Sequence, residues 1–110
     1  MRTGLTLVVS LFLHPGRKAD FEEFERSASN IMSRYGGRIE RRISLPSDDD
    51  PSQPDEVHVV RFPDQDSFDR YRRDPEVQAL AELRARAIRQ TIVWQGVDSP
   101  PWVSRRREPA

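Results

Sequence analysis

The hydrophobic pattern of the chain opens with an apolar run from Leu5 to Leu13, bounded by Gly4 and by Pro15-Gly16. Alternate residues of a strand point to opposite faces, and both sets are largely apolar here. Such a strand is typical of the centre of a sheet that is covered on both sides. The run is far shorter than the ~20 apolar residues that span a bilayer, and no small-residue cleavage site follows. We therefore expect neither export nor a membrane partner.

A helical pattern follows, because apolar residues recur at helical intervals from Phe21 to Tyr35. Asp20 and Glu23 have the spacing of a capping box, so we predict that Asp20 caps the helix. Gly36-Gly37 offers the residue with positive φ that commonly ends a helix.

Two further strands are predicted on either side of a polar loop at residues 46–54. Residues 38–45 alternate Ile39, Ile43 and Leu45 with polar residues, which is typical of an edge strand. In residues 57–62 the odd-numbered positions form one face and the even-numbered positions the other. A helical region then runs from residue 63 and restarts at Asp74-Pro75, because aspartate caps a helix and proline suits its first turn.

Residues 91–97 complete a β-α-β-β-α-β order, which predicts an α+β, ferredoxin-like fold with a four-stranded antiparallel sheet. We assign residues 1–98 to this domain and residues 99–110 to a flexible tail rich in proline and arginine. Two helices cover only one sheet face, yet the first and third strands are apolar on both. We therefore predict a homodimer that pairs sheet to sheet, with cover by the chain's own loop and tail as the alternative.

The composition narrows the classes of function. The 110 residues include 18 Lys plus Arg and 18 Asp plus Glu, whereas a nucleic-acid-binding protein usually carries a basic excess. Cysteine is absent, which excludes disulfides and a thiol nucleophile and removes the commonest zinc ligand. Gly36-Gly37 follows a helix, whereas a phosphate-binding loop precedes one. We expect a cytoplasmic protein with no cofactor, no metal and no nucleic-acid partner.

Several short motifs carry a family resemblance: Phe21-Glu-Glu-Phe-Glu25, Tyr35-Gly-Gly-Arg-Ile39, Val59-Val-Arg-Phe-Pro63 and Asp74-Pro75. Across about nine-tenths of its length, the chain resembles an uncharacterised family of dimeric α/β-barrel proteins. The superfamily implied by this resemblance contains cofactor-independent monooxygenases of antibiotic biosynthesis, muconolactone-type isomerases, polyketide cyclases and haem-degrading enzymes. The resemblance implies a dimeric barrel and a range of chemistries, but it supplies no catalytic motif.

Two histidines are the candidate catalytic bases, since histidine titrates near neutrality. His58 lies in the middle of the third predicted strand, and a hydrogen-bonded structural histidine is its alternative role. His14 lies where the first strand ends, a plausible pocket rim, and anchoring of the following loop is its alternative role.

Four residues are candidates for substrate binding. Arg42 and Arg61 could reach under the helices and bind a carboxylate or enolate, and ion pairing with Glu40 or Glu56 is the alternative. Trp94 could wall a pocket for a flat ligand together with two phenylalanines, Phe12 and Phe62. Tyr35, at a helix end, could donate a proton to an oxyanion. Packing is the alternative for each of these aromatic side chains.

These features favour a small-molecule-binding protein, and specifically a cofactor-independent monooxygenase, isomerase or cyclase acting on a planar acidic or phenolic metabolite. The alternative is a non-catalytic binding or accessory protein. An RNA-binding module of the same topology fits poorly, because the third strand has no aromatic residue before its end. A cavity beside His58 would favour the enzyme, and a filled core with exposed histidines would favour the accessory protein.

Overall fold

The computed structural model describes residues 4–46 and 50–102. The strands are β1 (Leu5–Leu13), β2 (Arg38–Ser44), β3 (Glu56–Phe62) and β4 (Ile88–Gly96). The helices are α1 (Lys18–Ser33), α2 (Gln65–Arg73), α3 (Pro75–Gln78) and α4 (Ala81–Ala87). The predicted order is confirmed, with the second helical region divided into three. Part of the predicted loop, residues 47–49, and part of the predicted tail, residues 103–110, lie outside the described residues.

The four strands form one antiparallel sheet in the order β2-β3-β1-β4. The apolar strands β1 and β3 are therefore central, and the more polar β2 lies at an edge, as the sequence pattern indicates. This is the α+β, ferredoxin-like arrangement predicted from the sequence. One face of the sheet packs against the helices. We call the opposite face of the sheet the open face.

The core lies between the helices and the sheet and consists of two clusters. One is built around Phe21 and Phe24 of α1, and the other around Phe62 of β3 and Phe68 of α2. Phe62 is 0% exposed. Burial of each such side chain stabilises the fold by roughly 1.5–3 kcal/mol.

A bulge in β2 changes which of its side chains face the helices. The register against β3 shifts between Ile39 and Arg41, so that Glu40 is an extra residue in β2. Ile39 and Arg42 consequently lie on the helix side, while Ile43 lies on the open face. The prediction that Ile39 and Ile43 share one face is therefore wrong, because the bulge breaks the two-residue period of the strand.

The first helix begins earlier than predicted. Arg17 is its N-cap and makes no side-chain capping bond, so the prediction of a capping box at Asp20 is wrong. Asp20 lies instead in the first turn, where a carboxylate stabilises the positive end of the helix dipole. The predicted end is confirmed, since Gly36 has a φ of 75° just beyond the helix.

Gly37 allows this turn to pack directly on the core. A Cβ atom at this position would lie 2.4 Å from Cε1 of the fully buried Phe62. We expect Gly37→Ala to lower the free energy of unfolding by about 1–3 kcal/mol, because the ring has no room to move. Gly96→Ala, where a Cβ meets nothing within 4 Å, is the matched control and should change it by less than about 0.5 kcal/mol. Urea unfolding measures both, and equal losses would contradict this account.

Candidate functional site

His58 is buried on the helix side of β3, where it lies between two carboxyl groups. The residue is 2% exposed. Its Nε2 atom is 2.8 Å from Oε1 of Glu56, which lies two residues earlier on the same strand face. Its Nδ1 atom is 3.6 Å from Oε1 of Glu25 on α1. The ring also packs against Phe21, with 6.2 Å between ring centroids. The imidazole thus lies between one carboxylate to which it is hydrogen-bonded and a second carboxyl group just beyond hydrogen-bonding distance.

Arg42 holds the first of these carboxylates. Its Nε donates to Oε1 of Glu56 at 3.0 Å, and its Nη2 donates to Oε2 of the same residue at 2.8 Å. The same Nη2 also donates to Glu22 of α1 at 2.9 Å. Burial would raise the pKa of Glu56, but the hydrogen bonds from Arg42 and His58 outweigh it and lower that pKa below its usual value. Glu56 therefore stays ionised at neutral pH.

Glu25 is the second carboxyl group, and its environment is different. Burial, followed by the negative charge of Glu56, raises the pKa of Glu25 from 4.5 to about 7. Burial, with a further contribution from the charge of Glu25, also raises the pKa of Tyr71 to about 12. A carboxyl group that titrates near pH 7 both accepts and releases protons under physiological conditions.

A cavity of about 570 Å³ opens where β1 ends, between residues 13–18 and the loop that joins β2 to β3. Its lining includes His14, three cationic residues and three carboxylates: Arg17, Lys18, Arg89, Asp50, Asp55 and Glu56. The half-buried His14 donates its backbone N–H to the carbonyl of Ala87 at 2.9 Å. The cavity thus presents a histidine and charges of both signs to a ligand.

Glu56 connects the two parts of this candidate site. Glu56 is one of the residues that line the cavity, and its carboxylate accepts the hydrogen bond of the buried His58, which does not itself line the cavity. The structure therefore brings together three of the predicted residues: His58 and Arg42 through Glu56, and His14 across the cavity. Whether these residues act on a substrate stays a prediction.

Arg61 is not part of this cluster. It lies on the open face, where its Nε donates to Glu40 at 3.2 Å and its Nη2 donates to Asp98. The expectation that Arg61 reaches under the helices is therefore wrong, because its odd position in β3 points away from them. Arg42 fulfils that expectation only through the bulge in β2.

The predicted aromatic wall does not form. Trp94 is 57% exposed on the open face, whereas Phe62 belongs to the core on the helix side. Phe12 is covered by Arg89, whose guanidinium carbon is 5.2 Å from the ring centroid. The three rings share no site, because they occupy both faces of the sheet.

Tyr35 serves the helix end, which is the alternative stated for it. Its hydroxyl donates to the carboxylate of Asp74, and this bond raises the pKa of the tyrosine. Asp74 is itself the N-cap of α3 and accepts from the backbone N–H of Glu76 at 2.7 Å. The predicted restart at Asp74-Pro75 is thereby confirmed, and the tyrosine hydroxyl is engaged in it.

Sequence reasoning missed Glu25 as a site residue and considered Glu56 only as an ion-pair partner. Both residues could have been recognised from the hydrophobic pattern of the sequence. Glu25 interrupts the apolar stripe of α1, four residues after Phe21, and Glu56 occupies an inward position of a buried strand. A charged residue at an apolar position must be paired or must have a shifted pKa.

Within residues 4–46 and 50–102, no group of three or more His, Asp or Glu side chains is arranged to hold a metal ion. Over the same residues, no helix combines the length and the apolar character needed to cross a membrane.

The antiparallel sheet, the helices packed on one of its faces and the polar cluster between them define a ferredoxin-like α+β protein with an interior charged site. Residues 8–97 match the family described as a domain of unknown function, DUF1330, and the chain belongs to that family. No curated protein matches the chain in sequence.

Solved structures share the fold at low sequence identity. A protein of unknown function from Rhodopseudomonas palustris is 15% identical with a TM-score of 0.75, covering 92% of this chain and 86% of its own. SnoaB, a cofactor-independent oxygenase from Streptomyces nogalater, is 18% identical with a TM-score of 0.67, covering 89% and 95%. A dabb family protein with a ferredoxin-like fold from Mesorhizobium loti is 18% identical with a TM-score of 0.62, covering 88% and 98%. These similarities establish the fold.

The raised pKa of Glu25 makes the stability of the protein depend on pH. Between 4.5 and about 7 the folded state holds this proton while the unfolded chain releases it, so stability falls as the pH rises. We expect Glu25→Gln, which stays neutral, to be more stable than the wild type by about 2 kcal/mol at about pH 8. The difference should shrink toward about pH 5, where Glu25 itself is protonated.

Urea unfolding across this pH range measures the effect. Glu23→Gln, at an exposed position of the same helix, is the matched control and should show no such pH-dependent difference. A wild type that gains stability relative to Glu25→Gln as the pH rises would contradict the assignment.

Proposed function

We propose that this protein is a small-molecule-binding, cofactor-independent enzyme that transfers protons to and from a planar acidic or phenolic metabolite. One observation carries the proposal. Glu56 lines the large cavity and is also hydrogen-bonded to His58, which faces a carboxyl group with a pKa of about 7. This arrangement links the cavity to a buried group that can store a proton. The setting we propose is the cytoplasm, which suits a chain without cysteine.

The cavity supports an acidic or phenolic ligand. Lys18 and Arg17 are exposed residues of its lining, and their charges would attract a carboxylate or phenolate in spite of the carboxylates of Asp50 and Asp55 in the same lining. His14 lines the same space and is the cavity residue placed to accept a proton directly. The structural similarity to SnoaB, a cofactor-independent oxygenase, adds support for chemistry of this class on this fold.

In the proposed reaction the ligand loses a proton in the cavity to His14 or Glu56. For reprotonation, Nε2 of His58 passes its proton to Glu56 while Nδ1 takes the proton held by Glu25, and Glu56 then donates in the cavity. The 3.6 Å separation between Nδ1 and Glu25 requires a small movement of the carboxyl group to reach hydrogen-bonding distance. The resulting substrate anion then reacts or is reprotonated, as an oxygenase, isomerase or cyclase requires.

We also propose that the open face pairs with the open face of a second copy in a homodimer. Val8 and Trp94 lie opposite each other on β1 and β4, and both are exposed there. Ile43 of β2 is exposed on the same face. Apolar side chains along several neighbouring strands favour a partner surface over water.

The ligand can be identified on the protein purified from its own host by native mass spectrometry. We expect a retained planar acid or phenol, and we expect Lys18→Gln to weaken its binding roughly threefold. Arg26→Gln, which removes an exposed cation of α1 outside the cavity, is the matched control and should bind normally. A ligand that is neutral and aliphatic would contradict the proposed substrate class.

Turnover of that ligand tests the proton path. We expect His58→Gln to bind the ligand but to lower kcat by about a hundredfold, because glutamine cannot carry a proton between Glu56 and Glu25. Circular dichroism confirms that the variant is folded. An unchanged kcat would rule out the relay. A ligand that is bound by the wild type and never converted would favour the non-catalytic binding protein.

The dimer is tested by sedimentation velocity. Trp94→Glu places a charge among the apolar residues of the open face and should convert the dimer to a monomer, because an unpaired charge is disfavoured in an apolar interface. Trp102→Glu, at a tryptophan that is 99% exposed beyond β4, is the matched control and should leave the dimer intact. A wild type that sediments as a monomer would overturn the proposed pairing.

A further inference from the structure

The guanidinium of Arg61 makes hydrogen bonds through two of its three nitrogens. Two of its nitrogens donate to Glu40 and Asp98, but Nη1 is buried and has no hydrogen-bond partner among residues 4–46 and 50–102. The side chain as a whole is only 9% exposed. Leaving a buried donor without a partner costs about 1–3 kcal/mol, so native structures contain few of them. This nitrogen therefore points to an acceptor that is bound in its vicinity.

Space for such an acceptor lies beside the nitrogen. A cavity of about 300 Å³ is lined by residues at the start of β1, the start of β2 and the end of β3: Gly4, Gly36, Arg38, Arg61, Phe62 and Pro63. It shares no residue with the 570 Å³ cavity, which lies where β1 ends.

Gly4 lies next to Nη1. A Cβ atom on this residue would lie 3.3 Å from Nη1 of Arg61 and 2.9 Å from the backbone oxygen of Phe62. Any side chain here would therefore crowd the atom that lacks a partner. Arg38, whose side chain is 68% exposed, supplies a second guanidinium to the same cavity.

We propose that this cavity is a binding site for a small monoanionic carboxylate, held by Nη1 of Arg61 and by Arg38. A carboxylate offers several lone pairs to the N–H groups of two guanidinium ions, which are its strongest side-chain partners. The two arginines already face two carboxylates, Glu40 and Asp98, which offset part of their positive charge. One added negative charge is balanced better than the two of a phosphate dianion.

The site does not rest on the enzymatic proposal. It includes neither the Glu56 cluster nor the residues around His14, and it would bind its ligand whether or not the protein is a catalyst.

Acetate is the probe for this site, followed by ¹⁵N–¹H correlation spectra of the full-length chain at constant ionic strength set with chloride. We expect saturable shifts of the amide signals of Gly4 and Gly36, with a dissociation constant on the order of millimolar. Arg38→Gln should weaken binding by about fivefold or more. Arg41→Gln, an exposed arginine of β2 outside the cavity, is the matched control and should bind acetate like the wild type.

Several outcomes would overturn the inference. Shifts that fail to saturate up to about 100 mM acetate would show that no site exists. Equal weakening by Arg38→Gln and Arg41→Gln would reduce the effect to general charge. Tighter binding of phosphate than of acetate would exclude a monoanion site. A dimer that is weakened by Arg38→Gln and does not bind acetate would assign Nη1 to an acceptor on the second copy.

Discussion

The carboxylate of Glu56 is buried, and the arrangement of the site depends on how it is neutralised. A buried charge must be paired and hydrogen-bonded, and here Arg42 and His58 provide the partners. Arg42 reaches Glu56 only because the bulge in β2 turns that arginine toward the helices. The ionised Glu56 in turn contributes to the raised pKa of Glu25. One ion pair therefore fixes the orientation of His58 and makes a neighbouring carboxyl group titrate near pH 7.

The two faces of the sheet carry different kinds of side chain. The helix side holds the apolar clusters around Phe21 and Phe62, with the Glu56 cluster among them. The open face carries Trp94 together with the Arg61 network, which combines apolar surface with buried charge. Strand alternation is what separates these surfaces, since neighbouring residues of one strand serve different sites. His58 and Arg61 illustrate this, because they lie three positions apart in β3 and face opposite ways.

Family membership and structural similarity support the fold more strongly than they support a reaction. The DUF1330 match covers residues 8–97, and the similar solved structures share the fold at identities of 15–18%. At such identities a catalytic residue cannot be transferred from one protein to another, and the site has to be argued from its own geometry. That geometry consists of a cavity, a buried histidine and a carboxyl group with a pKa of about 7 that are connected through Glu56.

The sequence by itself determined the element order, the central position of β1 and the restart of the helical region at Asp74-Pro75. These features depend on residues that are close in the sequence, because side-chain periodicity, capping and the properties of proline act within a few residues. The partner of Arg42 was stated only as one of several alternatives. The face on which Arg61 lies and the separation of Trp94 from Phe62 follow from alternation in β3 and β4 only once the strand pairing is known.

The residues that come together in the site could be identified only from the tertiary structure. The bulge at Glu40 arises from pairing with β3 and leaves no distinctive mark in the sequence of β2. The approach of Glu25 to His58 joins a helix to a strand across 33 residues of chain, and its raised pKa comes from burial and from the charge of Glu56. Burial and long-range charge are properties of the packed molecule. They determine the chemistry of a side chain, and periodicity along the chain does not encode them.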